Sequence, residues 1–214
     1  MNIFEFLKQL NPNLLIEIGA HFGTETLKFR EMLPNARIIC FEPDPRNINI
    51  LIENGVDRIC ELERLAISDS NGLIDFHLSS GDCKHWAQDD LLRNNEWSAS
   101  SSIKRPKLHL QAHPWVKFEQ VIQVNSTRLD DYKPLENNII DFIWMDVQGA
   151  EDLVFAGAKN TLRNTKYIYT EYNNFELYEN QANLNKILSL IGSDWSIEHL
   201  YDNDVLLKNK NYEN

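Results

Sequence analysis

The sequence predicts a doubly wound α/β sheet, mostly parallel, with an antiparallel hairpin strand at its C-terminal end. Three observations carry this. Strand-length apolar runs alternate with segments of helical spacing from residue 14 to residue 191, the pattern of consecutive βαβ units. Asn138-Ile139-Ile140-Asp141-Phe142-Ile143-Trp144-Met145 is almost continuously apolar, as a central parallel strand covered on both faces must be. Ser196–Leu200 and Val205–Leu207 flank Asp202-Asn203-Asp204, which reads as a final β-hairpin.

Residues 2–10 place Ile3, Phe6, Leu7 and Leu10 on one face of a short helix that Asn11-Pro12-Asn13 ends. A strand is expected over 14–19, a helix from Thr24 to Leu33, and a second strand over 37–42. Asp44 is a good N-cap and Pro45 a good first helical residue; Ile48, Leu51 and Ile52 give the inward face and Gly55 the C-terminal stop. A third strand ends near Ile67. After Asn71-Gly72, the alternation of Leu73 to Leu78 predicts an edge strand. Residues 79–118 are polar, serine-rich and hold Trp86, Trp97 and Trp115; a loop this long in a compact chain reads as a lid over a ligand cleft. Strand character returns at Val121–Val124, a helix follows Asp146 to about Leu162, a strand spans 166–171, and a helix spans about 180–191. The whole chain, 1–214, reads as one domain carrying the 79–118 insertion.

Composition narrows the partners. With 32 acids against 21 bases the net charge is −11, which argues against nucleic acid and against an anionic membrane surface, both of which call for basic patches. Lys104-Arg105-Pro106-Lys107 is the one basic cluster and reads as a solvated loop. Cys40, Cys60 and Cys83 lack metal-ligand spacing and read as reduced residues of a cytoplasmic protein. No signal peptide and no membrane-length apolar run is visible.

The chemistry concentrates where strand 14–19 breaks into Gly19-Ala20-His21-Phe22-Gly23-Thr24 and, about 20 residues on, where a second strand ends in Glu42-Pro43. That spacing suits a nucleoside: glycines allow close backbone approach, and the acid takes the ribose hydroxyls. The middle glycine of a dinucleotide fingerprint is missing, and Glu17 precedes the turn. A carboxylate there repels phosphate but suits a sulfonium and an ammonium, so S-adenosylmethionine is favoured over NAD. Glu17, Gly19, Ala20, His21, Gly23, Thr24, Glu42, Pro43, Ala66 and Ile67 are the candidate cofactor residues, with Ala66 and Ile67 flanking adenine and Pro43 on its other face.

Here the chain resembles the FkbM-type S-adenosylmethionine-dependent methyltransferases, in Glu17-Ile18-Gly19-Ala20-His21-Phe22-Gly23, in Phe41-Glu42-Pro43 and in Asp146-Val147-Gln148-Gly149-Ala150-Glu151. Leu65-Ala66-Ile67-Ser68-Asp69 and Thr127-Arg128-Leu129-Asp130-Asp131 add weaker likeness, and the resemblance spans roughly residues 13–208. Two departures stand out: His21 where the family usually has Asn, and Gln148 where it usually has Glu. The resemblance implies the methyltransferase variant of the Rossmann fold and an acceptor hydroxyl on a sugar, glycan or similar small molecule.

Methyl transfer to a hydroxyl needs a base or a metal for the departing proton. Asp146 and Glu171, at the ends of predicted neighbouring strands, are the candidate base and partner, or the grip for a divalent cation. Asp130 is a weaker third. Glu151 is as well read as an exposed first-turn acid. Of the insertion histidines, His85 leads as an alternative base, ahead of His109 and His113. Trp86 and Trp97 would stack on a sugar or pack the lid. Two other readings stay open: a binding module that keeps the pocket but not transfer, and an NAD-linked oxidoreductase.

Overall fold

The computed structural model describes residues 1–81 and 96–212; Cys83, His85 and Trp86 lie outside the described residues. The main sheet has seven strands: β1 Leu14–Ile18, β2 Arg37–Phe41, β3 Glu61–Glu63, β7 Ile140–Met145, β8 Thr165–Glu171, β9 Trp195–Leu200 and β10 Asp204–Asn209. Their order is β3-β2-β1-β7-β8-β10-β9. All neighbours pair in parallel except β10, which runs antiparallel to both β8 and β9. The strand order reverses between β1 and β7, the place where open α/β sheets leave a crevice beyond their carboxyl ends.

Alternation along each strand builds two cores. Ile16, Ile143 and Ile168 face one layer with Val154, Phe155, Leu162 and Ile187. Leu15, Ile38 and Phe142 face the other with Ile3, Leu7, Phe29 and Leu51. So α1 Ile3–Leu10, α2 Thr24–Met32 and α3 Pro45–Glu53 cover one side, and helices at Glu151–Ala156, Lys159–Arg163 and Leu184–Ile191 cover the other. The expected Asp44 cap forms, its Oδ1 accepting from Arg46 N at 2.9 Å; Asn183 Oδ1 likewise accepts from Lys186 N at 3.0 Å.

Three expectations need correction. The apolar run to Ile67 is two strands: β3 joins the main sheet, while β4 Ala66–Ile67 leaves it for a three-stranded sheet of order β4-β6-β5, with β5 Gly72–Ser80 and β6 Lys117–Thr127. The insertion is therefore the connection of an antiparallel hairpin, and it contains a helical turn, α4 His109–Ala112. The helix expected up to Leu162 is two, α5 Glu151–Ala156 and α6 Lys159–Arg163. The break falls at Gly157, where a Cβ would lie 2.1 Å from the Ser68 carbonyl oxygen. The last helix, α7 Leu184–Ile191, starts later than expected because Asn183 caps it. Among the described residues no helix is long and apolar enough to cross a membrane.

Candidate active site

Three strand ends converge at the switch point. Gly19 N and Ala20 N both donate to Phe41 O, at 2.9 and 3.1 Å, and Asp146 N donates to Ile18 O at 2.9 Å. Gly19 is left-handed, φ +90°, and a Cβ there would stand 1.9 Å from Asp146 O. The glycine is thus required by the approach of two chain segments, not only by a ligand. His21 also takes a positive φ, +50°. Its N–H donates to Glu42 Oε2 at 2.7 Å, which closes the turn onto the end of β2.

Glu42 is almost wholly buried. Its Oε1 accepts from Asp44 N at 2.8 Å and from Asn47 Nδ2 at 3.3 Å. These donors fix the carboxylate and, with His21 N on Oε2, leave one lone pair on Oε2 for a further hydroxyl donor. Burial pushes its pKa up to about 8. Glu17 is buried beneath the turn, accepts from Thr26 Oγ1 at 2.5 Å and Cys40 Sγ at 3.2 Å, and is likewise pushed by burial to about 8.

Both acids line a cavity of about 340 Å³. Its apolar lining includes Leu65, Ala66, Ile67, Phe76 and Ile103. Its polar lining includes Glu25, Asp146, Gln148, Tyr169 and Asp204. Among the described residues no Lys or Arg lines it. Asp146 is solvent-accessible through the open cavity, yet the protein around it still raises its carboxyl pKa. Neighbouring acids add to that: Glu151 is raised to about 7 and Glu171 to about 9, each by burial first and then by the adjoining carboxylates.

The insertion covers this site through specific bonds. His21 Nε2 meets Ser98 Oγ at 3.0 Å, and Ser98 Oγ donates to Asn47 Oδ1 at 2.6 Å. Arg46, paired with buried Asp44 at 2.7 Å, reaches Glu96 at 3.3 Å.

Of the candidate cofactor residues, Glu17, Gly19, His21, Glu42, Pro43, Ala66 and Ile67 line the cavity; Ala20, Gly23 and Thr24 do not. Ala20 packs in the core. Gly23 is the N-cap of α2, and a Cβ on it would meet Leu51 and Val56 at 2.7 Å. Thr24 opens α2. Asp146 lines the cavity, whereas Glu171 does not; its register partner Asp204 does, hydrogen-bonded by Tyr169. Asp130 is structural: it caps α6, accepting from Asn160 N at 2.9 Å and Thr161 N at 2.8 Å. Glu151 is buried rather than exposed, with Oε2 unpartnered. His109 is buried against Ser100 Oγ at 3.1 Å, and burial lowers its pKa to about 4, so it is no surface-loop residue. Lys104 is not solvated: it is buried, 2.6 Å from Asp152 and 2.9 Å from Asn180 O. Trp97 packs edge-on to Trp115 at 4.9 Å, as lid packing.

Asn47, Ser98, Tyr169 and Asp204 are cavity residues that the pattern reading missed. Asn47 carried a signal, an amide beside the buried face of α3. Asp204 was read only as hairpin turn chemistry, and Ser98 has nothing to distinguish it in a serine-rich stretch.

The Methyltransferase FkbM domain model matches residues 17–212. The chain is 43% identical over 215 residues to the 2-O-methyltransferase NoeI of Sinorhizobium fredii (strain NBRC 101917 / NGR234), covering 97% of this chain and 83% of that protein. Methyltransferase FkbM from Methylobacillus flagellatus KT superposes with a TM-score of 0.53 at 16% identity, over 92% of this chain; the chain spans 44% of that structure's length. Cofactor-bound Rv0187 from MTB superposes with a TM-score of 0.52 at 11% identity, over 97% of this chain and 79% of that one. At these identities the two structures speak for the fold.

Proposed function

Because the chain belongs to the FkbM methyltransferase family and is an S-adenosylmethionine-dependent enzyme, we propose that it methylates a hydroxyl of a small polyhydroxy acceptor, a sugar or glycan. The observation that carries the cofactor reading is the cavity's lining: five acids, Glu17, Glu25, Glu42, Asp146 and Asp204, and, among the described residues, no Lys or Arg. A dinucleotide's pyrophosphate would meet carboxylates there, whereas a sulfonium and an ammonium are stabilised by them. That chemistry disfavours NAD. An acceptor hydroxyl agrees with the 2-O-methyltransferase at 43% identity.

When bound, S-adenosylmethionine supplies a methyl whose C–S bond breaks, the bonding pair leaving on sulfur, as the acceptor's C–O bond forms. Glu42, held by three donors, would accept from a ribose hydroxyl. Ala66 and Ile67, with Leu65, Phe76 and Ile103 about them, would flank the adenine, and Pro43 would lie on its other face. Asp146, at the end of the central strand, takes the proton of the acceptor hydroxyl. Ser98, Ala99 and Ser101 line the cavity on the side of the insertion, beside the turn that holds His21. The acids do not converge as metal ligands: among the described residues no three His, Cys, Asp or Glu are arranged to hold an ion. Free Cys40 and Cys60 suit a reducing compartment, the cytoplasm.

Calorimetric titration with S-adenosylhomocysteine and with NAD tests the cofactor; binding of S-adenosylhomocysteine alone is expected. Release of S-adenosylhomocysteine in the presence of mono- and oligosaccharides, against amine and catechol controls, tests the acceptor. Turnover confined to the controls would overturn the sugar assignment.

A further inference from the structure

Gln148 stands between two groups of opposite need. Its Nε2 donates to Asp146 Oδ1 at 2.7 Å, and its Oε1 lies 3.2 Å from Tyr178 Oη. The single phenolic hydrogen of Tyr178 also reaches Ser100 O, at 2.7 Å, the shorter contact. The phenol oxygen therefore keeps acceptor capacity on the side of Gln148. Gln148 itself lines the cavity.

An amide exchanges its donor and acceptor ends by a half-turn about its last bond. With Nε2 toward Asp146, the carboxylate is ionised and accepts. With Oε1 toward Asp146, the carboxyl carries a proton and donates it, while Nε2 donates to Tyr178 Oη and Tyr178 still donates to Ser100 O. In the first arrangement Gln148 Oε1 and Ser100 O compete for the one phenolic hydrogen, whereas the second gives each a donor or acceptor of its own, and neither needs the backbone to move.

The surroundings of Asp146 make this capacity matter. It faces Glu25 from α2, Glu151 from α5, Glu171 from β8 and Asp204 from β10, together with the Tyr178 phenol. The Lys104 ammonium acts on Glu151 and is itself paired with Asp152. An ionised Asp146 in that company depends on the Gln148 N–H, and a protonated one on the Gln148 carbonyl. A Glu at 148 would offer no N–H and would contest the same proton, since two carboxylates in contact do not both ionise readily.

We propose that Gln148 is the positioning residue of Asp146, its amide reversing as that carboxyl gains and then loses the acceptor's proton. The inference rests on Asp146 being the base of the transfer proposed above. In the step, the acceptor O–H proton passes to Asp146 as C–O forms and C–S breaks. Asp146 then returns the proton to water once the product leaves.

The test is a carboxyl ¹³C NMR titration of the ligand-free protein, with Asp146 assigned by the signal lost in Asp146→Asn. In the wild type the Gln148 side-chain NH₂ signals are expected to titrate with the Asp146 midpoint. Gln148→Met, of similar length without donor or acceptor, should raise that midpoint by roughly one pH unit. Gln148→Glu should give a two-step titration whose upper step exceeds the wild-type value. Flat Gln148 signals, or an Asp146 midpoint unmoved in whichever variant folds, would overturn the proposal. Titration of each variant with S-adenosylhomocysteine reports folding and the cofactor reading separately. Failure of the wild type itself to bind would sink the proposed function, whereas an unmoved midpoint in a binding-competent variant would sink only the role of Gln148.

Discussion

The imidazole Nε2 of His21 meets the Ser98 hydroxyl at 3.0 Å, which joins the turn after β1 to the insertion. Ser98 gives its one hydrogen to Asn47 Oδ1, so His21 is the donor in this pair. Asn47 Nδ2 in turn donates to Glu42 Oε1. The insertion and the Glu42 carboxylate thus share one directional chain. Ser98→Ala removes the middle link in a buried setting, where losing such a bond costs roughly 1–2 kcal/mol. S-adenosylhomocysteine affinity measured by calorimetry should fall about fivefold to thirtyfold, a conversion at about 1.4 kcal/mol per tenfold. Unchanged affinity would detach the chain from ligand binding.

Glu42 itself should matter more. Glu42→Ala removes a charge-assisted acceptor for a ribose hydroxyl, at roughly 1.5–3 kcal/mol, or about tenfold to a hundredfold in affinity. The pH dependence follows from its carboxyl being raised to about 8. The ionised form is the better acceptor for a hydroxyl, so affinity should rise with pH through that value in the wild type. In Glu42→Ala that rise should be gone from the calorimetric titrations.

The same raised carboxyls set the stability of the ligand-free protein. Glu17 and Glu42 stand at about 8 and Glu171 at about 9, each raised by burial. A carboxyl whose folded pKa exceeds its unfolded value, about 4.3, contributes stability that is present below the unfolded value and lost as pH rises through the folded one. The melting temperature should therefore fall between about pH 5 and pH 9. Glu17→Gln, which keeps the Thr26 bond without the charge, should flatten part of that fall. A melting temperature constant across this window would contradict the burial of these acids.

Gly19 and Gly55 separate conformational preference from contact. Both are left-handed, φ +90° and +73°. A Cβ on Gly55 would find its nearest neighbour, Arg58 Cδ, at 4.0 Å, whereas one on Gly19 would meet Asp146 O at 1.9 Å. Gly55→Ala should cost about 1 kcal/mol, the left-handed penalty alone. Gly19→Ala must in addition push β1 and β7 apart and should lower the melting temperature severalfold more. Equal shifts in thermal melts would show that the strand ends have room to give.

The fold was legible because its signals are local and repeated. The buried run at 140–145, the Asp44-Pro45 cap and the hairpin around Asn203 each state their own geometry. Glu42 was legible for a similar reason, standing at a fixed spacing from the glycine turn. What was hidden depends on long-range packing. The residues Ala66 and Ile67 look like the end of the third strand, yet they pair with Ser126 and Thr127, far along the chain. Asp130 looked like a spare acid until α6 was placed on it. Ser98 and Asp204 reach the cavity only because the insertion and the hairpin fold over it.

Asp146 and Glu171 divide once the cavity is mapped, and the proposed chemistry follows that division. Asp146 lines it and carries the Gln148 bond, whereas Glu171 stands off the wall, raised to about 9 and therefore protonated near neutrality. A base must be ionised and within reach of the hydroxyl. Asp146→Asn should keep S-adenosylhomocysteine affinity within a few-fold yet lower turnover by roughly 10²–10⁴. Glu171→Gln replaces a neutral acid with a neutral amide, so it should cost far less and leave the acid limb in place. A chelator should change neither enzyme, in keeping with acids that are not set as metal ligands among the described residues. Turnover is read as S-adenosylhomocysteine release with the sugar that supports it best. Full activity in Asp146→Asn would remove it as base, and a chelator-sensitive wild type would move the chemistry to a metal.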